Sequence, residues 1–206
     1  MAFSTMKLYG TATSPYARLT RIVMLEKGLE KQVELVWTKT RVPDDPILAV
    51  HPSGRVPVLI LEDGTVLEDT PVIVDYLDSL VPPARFAHSA DRRDWHYRGI
   101  EATARAMIDG LAVWAREVIR PAQEQSSTVI GHEQRRAFRL ADHFESRTAD
   151  PSLNGPLTMA QIYLFGALDI ERRLPAFNWR DNRPNLVAWH ARIAALPSVA
   201  ASAAPR

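Results

Sequence analysis

A chain of 206 residues can bury one large core or two small ones, and 46% hydrophobic with 24% charged residues excludes a disordered or fibrous class. The net charge of +1, with acids and bases interspersed, gives no broad basic field for nucleic acid and no polybasic patch for a membrane surface. Cysteine is absent, which removes disulfides, thiolate metal sites and any protein thiol nucleophile, so thiol chemistry here needs a ligand that brings the thiol.

Lys7-Leu8-Tyr9 reads as a short strand, followed by Ser14-Pro15, which opens a helix with the apolar stripe Leu19, Ile22 and Val23. Gly28 ends that helix, and Val33 to Trp37 alternates as a second strand, completing a parallel βαβ unit. After a Pro-containing stretch from Arg41 to Pro52, Val58 to Leu61 and Thr65 to Leu67 flank Asp63-Gly64, the strongest short hairpin signal. Val72, Ile73, Tyr76, Leu77 and Leu80 then recur at helical spacing. The sum is βαβ followed by ββα around a mixed four-stranded sheet, with a boundary at Val81-Pro82-Pro83: residues 1–81 form the first domain, 82–90 a linker and 91–206 a second domain. Beyond the boundary no strand period occurs. Helices are expected from Asp91 to about Glu117, Glu133 to Thr148, Thr158 to Arg173 and Asn185 to Ala195, making an all-helical bundle with a frayed Ala/Ser-rich tail after Val199.

Six histidines without a helical His-x-x-x-His pair point to no metal. Met1 to Tyr9 has no basic segment followed by a long apolar run, and no stretch of about 18 apolar residues occurs, so a cytoplasmic location is expected.

Three segments carry candidate chemistry, each with a plainer structural reading beside it. Gly54-Arg55-Val56-Pro57-Val58 puts proline at the first residue of a strand; a cis Val56–Pro57 bond would present the Val56 N–H and C=O to an extended peptide ligand, and the plainer reading is an edge-strand proline. Asp69-Thr70-Pro71 is a helix start whose carboxylate suits an ammonium and whose N–H groups suit a carboxylate, so it could hold an α-amino-acid head group as well as cap a helix. Thr13-Ser14-Pro15-Tyr16 has the same form. The Ser14 hydroxyl is either a cap alone or also a donor that lowers the pKa of a ligand thiol.

In this order and spacing the three segments resemble the glutathione transferases, in particular bacterial members with Ser-Pro-(Phe/Tyr)-x-Arg after the first strand. The matching residues are Ser14-Pro15-Tyr16-Ala17-Arg18, then Pro52 to Pro57 for Pro-x-Gly-(Lys/Arg)-Val-Pro, then Asp69-Thr70-Pro71-Val72-Ile73-Val74-Asp75-Tyr76-Leu77 for the acid-hydroxyl helix start. The resemblance implies a thioredoxin-like α/β N-terminal domain and an all-α C-terminal domain contributing the site for an electrophile. It implies glutathione as co-substrate, with Ser14 stabilising the thiolate, Val56 before Pro57 pairing with the cysteinyl backbone, and Asp69 and Thr70 taking the γ-glutamyl group. Arg55, with Lys39 or His51 as further candidates, would face the glycyl carboxylate. Tyr9 and Tyr16 are alternative hydroxyl donors, although Tyr9 lies in the strand and reads as core.

The second half resembles the family through Gly155 to Ile162 and Arg183 to Val199, with Gln161 in place of the usual aspartate, which keeps a capping box with Thr158 but loses a negative charge at that helix start. Trp95, Arg105, Ile108, Asp109 and Trp114 are candidates for the electrophile site, or simply interhelical packing. Arg92-Arg93 and Arg135-Arg136 read as solvated helix faces. The implied activity is conjugation of the glutathione thiolate to a small hydrophobic electrophile by a homodimer engaged in detoxification. The alternatives are a glutathione-dependent isomerase, ether-cleaving enzyme or dehalogenase, and a non-catalytic glutathione-binding scaffold.

Overall fold

The structure, a computed structural model, describes residues 5–86 and 93–203. Two compact units emerge: residues 1–90 together with 197–206, and residues 91–196. The sequence reading ran the helical domain through to 206, whereas the last short helix groups with the first unit.

In the first unit, β1 (Met6–Gly10) pairs in parallel with β2 (Val33–Trp37) and antiparallel with β3 (Val58–Ile60), which pairs antiparallel with β4 (Val66–Glu68), giving the order β2-β1-β3-β4. The parallel pair needs a crossover, supplied by α1 (Pro15–Glu26), whose Leu19, Ile22 and Val23 are wholly buried. The β3-β4 hairpin turns at Gly64, whose φ of 86° suits glycine; Asp63 accepts the Thr65 N–H at 2.8 Å, and that bond holds the Asp63 carboxyl below its ordinary pKa. α2 (Thr70–Ser79) buries Ile73, Val74 and Leu77. Below it an ion pair is closed off from water: Lys27 Nζ lies 2.7 Å from Asp78 Oδ1, with side-chain exposures of 4% and 0%. The other Asp78 oxygen accepts the backbone N–H groups of Arg85 (2.8 Å) and Phe86 (2.7 Å), so one carboxylate fixes both the end of α1 and the chain leaving α2.

The second unit is built on α3 (Trp95–Glu117), α4 (Ser127–Glu145), α5 (Met159–Leu168) and α6 (Pro184–Ala194). The expected helix start at Asp91, Arg92 and the linker residues 87–90 lie outside the described residues. α4 begins six residues before the expected Glu133, because Ser126 caps it by accepting the Val129 N–H at 3.3 Å. α5 is buried on every side, and its start is closed twice: Gln161 Oε1 accepts the Thr158 N–H at 3.0 Å, as expected of a Gln-form box, and Tyr97 Oη accepts the Ala160 N–H at 3.3 Å. Trp114, Phe138 and Phe177 meet in edge-on and tilted pairs with centroids 5.7 to 6.5 Å apart, forming an aromatic centre. α7 (Pro197–Ala201) returns to α1 in the first unit.

Candidate functional site

The sheet register brings the candidate residues of the first unit to one edge. Tyr9 stands opposite Val36 on one side and Val58 on the other, and Val58 stands opposite Glu68. The chain therefore leaves this edge toward Ser14 after β1, toward Lys39 after β2 and toward Asp69 after β4, and enters it through Val56 and Pro57 before β3. The exit of β2 is pinned by Thr38 N–H donating to Gly10 C=O at 2.9 Å.

Ser14 caps α1: its Oγ accepts the Ala17 N–H at 3.2 Å, and Pro15 occupies the first helical position. Accepting that bond leaves the hydroxyl proton available, and no acceptor for it occurs among the described residues. Capping and donation to a ligand are thus compatible in one half-buried side chain.

The Val56–Pro57 bond is cis, and neither the Val56 N–H nor its C=O has a hydrogen-bond partner among the described residues. The adjoining Arg55 is exposed, as is Lys39. Asp69 sits at φ 77°, ψ 136°, a backbone region that non-glycine residues rarely occupy, and its Oδ1 accepts the Thr70 N–H at 2.9 Å. Thr70 is only 2% exposed.

His51 is differently placed from Arg55 and Lys39. Its Nδ1 lies 3.2 Å from Glu68 Oε2 and 3.0 Å from Ser53 Oγ, which leaves Nε2 as the ring nitrogen without a partner among the described residues. Ser53 Oγ donates to Glu68 Oε1 at 2.5 Å and accepts the Arg55 N–H at 3.2 Å. Sequence reasoning named neither Ser53 nor Glu68. The signal was present in the pairing of β3 with β4, which sets Glu68 across from Val58.

The glutathione S-transferase N-terminal domain family matches residues 8–85. A GST-like protein of Escherichia coli, YibF, is 32% identical over 187 residues, covering 88% of this chain and 90% of its own. The chain belongs to the glutathione transferase family. A family member of known structure, the glutathione S-transferase of Methylobacillus flagellatus crystallised with glutathione bound, is 30% identical with a TM-score of 0.86 over 98% of this chain and 100% of its own. Another, from Pseudomonas fluorescens and crystallised with S-(propanoic acid)-glutathione, is 27% identical with a TM-score of 0.84 over 98% and 100%.

Relative to other glutathione transferase candidates, Tyr9 is half-buried rather than core, and Tyr16 is also half-buried. Arg18 of the Ser14-Pro15-Tyr16-Ala17-Arg18 run ties α1 to the chain's end: Nε donates to Ser202 Oγ at 3.0 Å and Nη2 to Val199 C=O at 3.4 Å. In the second unit Ile108 and Trp114, 0% and 1% exposed, are packing residues and drop out of the electrophile set. Trp95 is 70% exposed with the Arg98 guanidinium 4.7 Å over its ring, and Arg105 and Asp109 are exposed. From its helix face Arg136, 34% exposed, also donates to the Ala106 C=O of α3 at 2.9 Å. Among the described residues no group of three His, Asp or Glu could hold a metal ion, and no helix is long and apolar enough to cross a membrane.

Proposed function

We propose that this glutathione transferase family member, of the type with an N-terminal Ser-Pro-Tyr motif, ionises glutathione and joins the whole tripeptide through its thiolate sulfur to a carbon of a small hydrophobic electrophile, whose leaving group or adjacent π bond takes the displaced electron pair, as a cytoplasmic homodimer serving detoxification. The observation that carries the reading is Ser14: a hydroxyl at the positive end of α1, already held by its cap bond, with its proton uncommitted. A thiolate set before it receives a charge-assisted hydrogen bond and the field of the helix end, which lowers the thiol pKa from about 8.5 toward neutrality. Stabilising and holding that thiolate supplies electrostatics and proximity to the attack on carbon.

Binding uses the rest of the edge. Asp69 takes the glutamyl ammonium, Thr70 and the start of α2 its carboxylate, the Val56 backbone pairs with the cysteinyl amide, and Arg55 faces the glycyl carboxylate with Lys39 and His51 as further partners. The Pseudomonas fluorescens relative's S-substituted glutathione supports a site that accepts the sulfur in a thioether.

The test separates the two jobs of Ser14. Ser14→Thr keeps cap and hydroxyl and should retain activity; Ser14→Asp caps as well but has no proton to give and repels a thiolate. Loss of one charged hydrogen bond amounts to about 1.5–3 kcal/mol, or roughly 10- to 100-fold in kcat/KM. Ser14→Asp should therefore lose conjugation with a chlorinated nitroaromatic acceptor by at least that factor while keeping its melting temperature. Calorimetry with glutathione and thiolate absorbance across pH complete the test. Binding without a lowered thiol pKa would favour the non-catalytic scaffold, and no binding would defeat the reading. Elution at the monomer mass across concentrations would refute the dimer.

A further inference from the structure

The loop from His51 to Val56 carries the groups assigned to the glycyl and cysteinyl parts of glutathione, yet it belongs to no strand or helix. Its shape is set by side chains. Ser53 Oγ accepts the Arg55 N–H at 3.2 Å and donates to Glu68 Oε1 at 2.5 Å; His51 Nδ1 stands 3.0 Å from that hydroxyl and 3.2 Å from Glu68 Oε2. Glu68 is the last residue of β4, held in register opposite Val58, and Asp69 follows it directly. One carboxylate on a rigid strand thus grips two residues of the loop, and through Ser53 the backbone of a third. At Gly54, φ is 63°, a left-handed conformation that glycine adopts without strain, and an added Cβ would come within 3.1 Å of the Leu48 side chain.

We propose that Glu68 is a positioning residue that fixes residues 51–55 for the glycyl arm of glutathione, Val56 entering β3 outside its grip, so that this chain discriminates the tripeptide from thiols lacking the glycine. The inference rests on the proposed glutathione site. Glu68 touches no part of the ligand; it acts through Ser53 and His51, holding the His51 ring in place and ordering the backbone that presents Arg55 to the glycyl carboxylate. Its effect falls on the binding of the glycyl end and spares the thiol, which Ser14 governs.

Calorimetry on the full chain with two probes, glutathione and γ-glutamylcysteine, reads this directly. Glu68→Ala should weaken glutathione about tenfold and leave γ-glutamylcysteine within twofold, raising KM for glutathione with kcat at saturation unchanged. Glu68→Gln keeps an acceptor for Ser53 and should lose less. Ser53→Ala, at an exposed loop position, should reproduce the ligand-selective loss with the melting temperature kept, and the double variant Ser53→Ala/Glu68→Ala should add little to either. Equal losses for the two probes, or no loss for either, would overturn the positioning role. Failure of the unmodified protein to bind either probe is a separate result, which removes the proposed function and this inference with it.

Discussion

Asp69 shows at the residue scale how a site can cost a fold stability. An L-residue at φ 77°, ψ 136° carries about 1–3 kcal/mol of backbone strain, and its cap bond to the Thr70 N–H recovers only part of that. Glycine occupies the same conformation without strain and forfeits a few tenths of a kcal/mol as a cap. Asp69→Gly should therefore raise the thermal midpoint, by about 1–2 kcal/mol of added stability, while abolishing measurable glutathione binding through loss of the ammonium partner. A melting scan with and without glutathione checks both halves. A destabilised Asp69→Gly protein would mean that the carboxylate is there for the helix and the strain is relieved by contacts elsewhere. Glycine separates strain from charge at this position, as aspartate separates the cap from the hydroxyl at Ser14.

Elements were legible in the sequence to the extent that their signals were local. β2 falls where its alternation puts it, α1 starts at its cap and proline, and the Asp63-Gly64 turn places the hairpin. The start of α4 was hidden because Thr128, Val129 and Ile130 are β-branched and Gly131 follows them, so propensity argued against a helix that Ser126 nonetheless opens. The start of α5 depends on a residue 63 positions away, Tyr97, whose Oη accepts the Ala160 N–H, and no local pattern announces that bond. Burial, with help from the charge of Glu101, pushes the Tyr97 hydroxyl up to about 12 from its ordinary value of 10.0. Below the unfolded value near 10 both states hold the proton and the contribution is complete. As pH rises toward 12 the unfolded chain releases it first, so stability is lost in that window, by about 2–3 kcal/mol in all. Urea midpoints taken at pH 9.5 and 11.5 should fall further for the parent than for Tyr97→Phe. At neutral pH the same variant should be less stable by about 1–3 kcal/mol, since the Ala160 N–H is left without its acceptor. Parallel losses with pH in both proteins would place the alkaline sensitivity in other tyrosines.

At the scale of the whole chain, the feature that sequence reading missed is the return of its end to its beginning. The Ala/Ser-rich run after Val199 has the composition of a frayed tail, and periodicity cannot show that a five-residue helix finds a distant partner. It does so through groups that look solvent-bound in the sequence: Arg18 reaches Ser202 and Val199, Arg21 reaches the Ala203 C=O at 3.4 Å, and Ser198 Oγ donates to Glu26 at 2.5 Å. Val199 and Ser202 are 1% and 0% exposed. Arg21 is drawn into the same packing, 4.8 Å from the Trp37 ring, and burial followed by the charge of Arg18 lowers its guanidinium pKa from the ordinary value. All of these contacts fall on α1, the helix whose first residue is preceded by Ser14, so the end of the chain braces the element on which the proposed thiolate chemistry depends. Burying Val199 and making charged hydrogen bonds from Arg18 stabilise by about 2–4 kcal/mol after the cost of ordering a short segment. A chain ending at Leu196 should unfold at a lower urea concentration by that amount and should exchange the amide protons of α1 faster, with exchange in α3 to α6 unchanged. Arg18→Ala in the full chain should reproduce about half of the loss. If the truncated chain keeps both its midpoint and the protection of α1, the helix stands on the sheet alone, and the C-terminal segment is a passenger rather than a brace.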